Sequence, residues 1–125
     1  MPVPTHLKHK PIIAVDNYDG DAEVLSIGLA QWENNKRDIS AKVFRRAENG
    51  NWSRQSEELP LHRVIDLASL VLSSILMADK NMDTDYLNKE VVAGGRIEDI
   101  KNYYKNNKED LDYRISELKK IISNL

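Results

Sequence analysis

The spacing of apolar and polar side chains changes once along this chain, near residue 60. Before that point the period is two. Residues 11–16 (PIIAVD) form a short, apolar, β-branched run that predicts a strand. NYDGD follows as a turn, punctuated by Gly20. In VLSIGLAQW, Leu25, Ile27 and Leu29 alternate with Ser26, Gly28 and Ala30, the pattern of a half-buried strand. After the polar loop ENNKRD, ISAKVFRRA alternates again, with Ile39, Ala41 and Val43 on one face and Ser40, Lys42, Phe44 and Arg46 on the other. Asn49-Gly50 is a two-residue hairpin signal, because both turn positions favour positive φ. It predicts a fourth strand over about 51–57, with Ser53 opposite Arg46, Gln55 opposite Phe44 and Glu57 opposite Lys42.

From Leu61 the period becomes helical. Leu61, Val64, Ile65, Ala68, Leu72, Ile75 and Leu76 recur at three- and four-residue steps, and Leu67, Leu70 and Val71 widen the stripe nearly all round. Pro60 suits a first helical turn, and Glu57 and Glu58 lie on the favourable side of the helix dipole. A short helix is expected over 84–92 with Asp83 as its N-cap, broken by Gly94-Gly95. A last helix from about 97 carries Tyr104, Leu111, Ile115, Leu118, Ile122 and Leu125 at four-three spacing, interrupted by Lys108. The expected fold is α+β: a four-stranded antiparallel meander, a long buried helix and a helical C-terminal tail. The expected organisation is a basic arm (1–10), a sheet-plus-helix core (11–80) and a helical extension (81–125).

Composition narrows the chemistry. At 125 residues the chain suits one domain with an appendage, and 41% hydrophobic residues suffice for a core. A formal charge of −2 removes any global attraction to polyanions, so such binding needs a local patch. There is no cysteine, which excludes disulfides, thiolate nucleophiles and Cys-based zinc sites. The start lacks the apolar run of a signal peptide, and the most apolar segment, 61–77, is short for a membrane span and contains His62, Arg63 and Asp66. A soluble cytoplasmic protein without a membrane partner is expected.

If the odd positions of the strands pack on the helix, the even positions face outward. That face carries Trp32, Lys42, Phe44 and Arg46, joined by Ser53 and Gln55 from the fourth strand. Cations that neutralise phosphates beside aromatic faces that stack on bases are what single-stranded nucleic acid asks of a protein. The plain alternative is a solvated antiparallel sheet with a Lys42–Glu57 cross-strand pair. Catalysis is not expected. The hydroxyls of Ser53 and Ser56, the carboxylates of Glu57 and Glu58 and the imidazole of His62 lack a nucleophile elbow, and adjacent glutamates on a strand point apart. No metal or cofactor is expected: DNYDGD places Tyr18 and Ile27 where a calcium loop needs oxygen ligands.

The run LSIGLAQW…ISAKVFRR…NWSRQSEELPLHRVIDLA, preceded by HLKHKPIIAVDNYD, resembles a small uncharacterised bacterial family of unknown function over the first 75 residues or so. The order of four meandering strands and one helix is also similar to the Whirly-like proteins and to the coactivator positive cofactor four. That resemblance implies a dimer that binds single-stranded DNA on its sheets. The leading expectation is therefore a homodimeric, cytoplasmic nucleic-acid-binding protein. The alternative is a protein-interaction module using the sheet face or the seam of Leu111, Ile115, Leu118 and Ile122. An enzyme ranks third.

Overall fold

The computed structural model describes residues 8–19, 22–32, 38–46, 50–51 and 57–125. Four antiparallel strands in the order β1-β2-β3-β4 are followed by helices, an α+β arrangement. The strands are β1 (Lys10–Asp19), β2 (Ala22–Leu29), β3 (Ile39–Arg45) and β4 (Glu58–Pro60). The helices are α1 (Leu61–Lys80), α2 (Ile97–Asn106) and α3 (Lys108–Ile122), with a 3₁₀ turn at Gly94–Arg96 leading into α2. By compactness the chain divides into Met1–Asp66 and Leu67–Leu125.

In the first unit, the alternation read from the sequence is kept. Leu25 lies opposite Val43, Ile27 opposite Ala41 and Leu29 opposite Ile39, so the odd positions share a face. Ile13 and Val15 of β1 join that face through their pairing with Ile27 and Leu25. Val24 lies opposite Phe44, Ser26 opposite Lys42 and Gly28 opposite Ser40 on the even face. A register shift between Pro11 and Ile13 bends the start of β1. Gly28 is needed there, because a Cβ at this position would lie 2.1 Å from the Lys10 carbonyl oxygen.

The fourth strand departs from expectation. Lys42 pairs with Glu58, not Glu57, and Ala41 pairs with Leu59. The pairing is offset by one residue from the one that a tight turn at Asn49-Gly50 gives, and Gly50 takes the positive φ of 86°. A shift of one residue in a strand exchanges its faces, so Glu58 turns to the even face and Glu57 to the odd. Ser53 and Gln55 lie outside the described residues. Pro60 closes β4 where its missing N–H does no harm at the end of a short edge strand, and α1 starts at the next residue.

Helix α1 is as long as expected but is not buried: among its residues only Ser73 is shut from solvent. It is long and apolar enough to cross a membrane by length and composition, with a mean hydropathy of 1.6 over its most apolar window. Asn81, at φ 52°, ends it in a left-handed C-terminal cap, where the N–H groups of Asn81 and Met82 bond back to Met77 and Leu76.

In the second unit, the short helix expected over 84–92 does not form. Asp83 does accept the Thr84 N–H at 2.8 Å, but the Lys89 ammonium reaches back to Asp83 and to the carbonyls of Thr84 and Leu87. Those carbonyls are thereby occupied without a helical ladder. The tail expected as one helix is two, with Asn107 between them at φ −119°.

Candidate functional site

The even face of the sheet, expected outward, is the buried one. Val24 and Phe44 are fully or almost fully covered, and so are Ser26, Ser40, Lys42 and His9. Lys42 and Phe44 are therefore not open cation and stacking platforms. Phe44 takes an edge-on contact from the His9 ring, 5.7 Å between centroids, and the Lys42 ammonium lies 5.6 Å from the Phe44 centroid. Arg46 is half-buried and donates to the Gly50 carbonyl at 2.7 Å. Trp32 is exposed, in the turn after β2 and not on the strand. In the tail, Leu111, Ile115 and Leu118 are half-buried on α3 and Ile122 is exposed. Tyr104, Lys108 and Asp112 interlock across Asn107: Asp112 accepts from the Tyr104 hydroxyl and pairs with Lys108 at 2.9 Å. Hydrogen bonds from Tyr104 and Lys108 hold the Asp112 carboxyl below its ordinary range.

The buried polar groups form a chain with a direction. Glu58 can only accept when ionised, and its Oε2 takes the Ser40 hydroxyl proton at 2.9 Å and the Gln31 N–H at 3.0 Å. With its proton committed, Ser40 Oγ accepts from His9 Nδ1–H at 2.8 Å. Nε2 of a neutral His9 is then an acceptor, and the Ser26 hydroxyl lies 3.0 Å from it. Hydrogen-bond logic thus assigns the Nδ1–H tautomer. Burial holds the His9 pKa below its ordinary value, against the opposing pull of the Glu58 carboxylate. The other carboxylate oxygen, Oε1, has no hydrogen-bond partner among the described residues and faces the Lys42 ammonium at 3.7 Å.

An imidazole between two hydroxyls, one of them bonded to an acid, has the order of a proton relay. Nucleophilic work also needs a hydroxyl open to substrate, yet Ser26 is 5% exposed and Ser40 is 0% exposed. What these contacts do is tie the start of the chain to β2, β3 and β4 at once. Sequence reasoning places His9 on a basic arm and Glu58 at a helix entry, and it misses the network. The available signal is the small-residue series Ser26, Gly28 and Ser40 on one face, which leaves room for a side chain from elsewhere to lie over it.

The odd face is the reverse. Ile13, Val15, Leu25, Ile27 and Leu29 are between 36% and 64% exposed. Ile13, Val15, Leu25 and Ile27 line an open groove of about 400 Å³ with Leu59 and Val64. At its margin, Arg45 Nε donates to the exposed Glu57 at 3.0 Å. This bond, the largest cause, lowers the Glu57 pKa. No group of three or more potential metal ligands is found among the described residues.

Fold and site together define a small α+β protein with a polar buried sheet face and an apolar open one. The chain belongs to DUF6530, a family of unknown function whose model matches residues 1–92. The match takes in the sheet and all of α1, and α2 and α3 lie beyond it. No curated protein and no solved structure matches the chain.

Proposed function

We propose that this protein is a protein-interaction module that self-associates through the odd face of its sheet. The observation that carries the reading is that face: a contiguous apolar surface on β1, β2 and β3, open to solvent in the single chain. Contiguous apolar patches of this kind mark association sites, because water holds them at a cost that a covering surface removes. The absence of cysteine suits a reducing compartment, and we place the module in the cytoplasm.

Nucleic-acid binding is the reading this geometry favours less. It draws on the exposed Trp32 and on the Whirly-like order of strands and helix. It loses the support of Lys42 and Phe44, both buried.

Light scattering across a concentration series tests the proposal. The wild-type chain should be a dimer or larger at micromolar concentration, and Ile27→Asp should shift it to monomer with its circular dichroism retained. A monomeric wild type would overturn the reading. Fluorescence anisotropy with labelled single-stranded DNA separates the alternative, for which salt-sensitive binding undiminished by Ile27→Asp is the signature.

A further inference from the structure

Resting on the reading above, we infer that the occupant of the sheet's odd face is helix α1 of a second copy of this chain, in a two-fold exchange. Each copy gives a helix and receives one.

The first ground is chemistry. Helix α1 carries exposed Leu61, Val64, Ile65, Leu67, Leu70 and Val71. From Leu67 to Met77 it holds no charged residue, so this stretch can be covered by an apolar face without stranding a charge. The second ground is continuity. Val64 of α1 already lines the groove beside Leu59, so the helix's apolar stripe begins on the groove wall. The third is size. The 20 residues of α1 run about 30 Å, similar to the length of the 10-residue edge strand β1 at about 3.3 Å per residue. The fourth is extent. A standard interface uses about 20–30 residues a side around an apolar centre. Five exposed hydrophobics on the sheet face and Leu61, Val64, Ile65, Leu67 and Val71 along one side of α1, used reciprocally, supply that centre from each copy. A two-fold arrangement uses both surfaces on both copies and closes, leaving neither of them free to propagate a fibre.

The natural absence of cysteine makes the test clean. Two full-length variants, Ile27→Cys and Val71→Cys, are co-expressed with different tags and treated with a short bis-maleimide. The cross-linked species are identified by mass, and oligomeric state is read on Ile27→Asp and Val71→Asp. Ile27 is 36% exposed and Val71 54%, and circular dichroism on each variant checks that the monomer fold is kept. The expected result is a mixed dimer bridged from position 27 of one copy to position 71 of the other. Either Asp variant should raise the dissociation constant by about 100-fold or more. A product bridged between position 27 of both copies, with Val71→Asp still dimeric, would overturn this inference and leave self-association through the sheet standing. A bridge formed only within the Ile27→Cys/Val71→Cys double variant, in a chain that is monomeric throughout, would overturn both.

Discussion

On the even face of the sheet, side chains that water holds well are shut away from it. On the odd face, side chains that water holds poorly are left in it. The even face hides an imidazole, two hydroxyls, an ammonium and a carboxylate, and it does so by making them answer one another. The odd face shows Ile13, Val15, Leu25, Ile27 and Leu29, which have nothing to answer with except another apolar surface. The difference teaches that alternation along a strand sorts side chains into two sets, but the identity of the covered set depends on what closes over it. A polar set can be closed if each group finds a partner of the right kind.

The contrast breaks first at Glu58. Glu58→Leu removes the acceptor that orders the chain and strands the buried Lys42 ammonium 3.7 Å from where its counter-charge stood. A loss of about 3–5 kcal/mol in unfolding free energy is expected from urea titration. Gly28→Ala should rank second. Its methyl meets backbone at the Lys10 carbonyl, which no rotamer can relieve, and overpacking of this kind costs about 1–3 kcal/mol. Ser40→Ala follows, since it leaves His9 Nδ1–H and Glu58 without their shared partner, at about 1–2 kcal/mol. A thermal melt that moved no more than a surface control would refute either assignment.

Acidity sharpens the same contrast more gently. Because burial lowers the His9 pKa, the unfolded chain takes up this proton before the folded one as pH falls. The stabilisation is whole above the unfolded value of 6.5 and is lost as pH falls from there through the folded value. Urea midpoints should therefore drop between pH 7.5 and pH 5.5, and His9→Gln should flatten that drop. On the odd face, Leu29→Ala in the monomer is expected to cost under about 1 kcal/mol, since the side chain is already partly in water. A larger cost would mean that the face is covered within one chain.

The meander and the long helix are legible because periods of two and of three to four are imposed by backbone geometry alone. Leu25, Ile27 and Leu29 group with Ile39, Ala41 and Val43 for that reason. The direction in which the sheet faces is not legible, because exposure is a property of what lies opposite. The pairing of Lys42 with Glu58 escapes because Asn49-Gly50 alone does not determine the register of the strand that follows it. The His9 network is hidden for a further reason. Its members come from positions 9, 26, 40 and 58, and no local window contains two of them. In the stretch at 84–92 the Lys89 ammonium bonds the Thr84 and Leu87 carbonyls outside any helix, contacts that no spacing in the sequence announces.

The direction of the hydrogen-bond chain from Ser26 through His9 and Ser40 to Glu58 also bears on how such a protein changes over evolutionary time. Ser40 accepts one hydrogen bond and donates one, Ser26 donates at the head of the series, and the carboxylate fixes the sense of the whole. Replacing any one member leaves its neighbours mismatched, so single substitutions meet a valley that only concerted ones cross. Relatives that abandon His9 for an apolar residue should be found to have abandoned Ser26, Ser40 and the charges at positions 42 and 58 with it. These positions should then be inherited as a block, while the odd face drifts among Ile, Val and Leu.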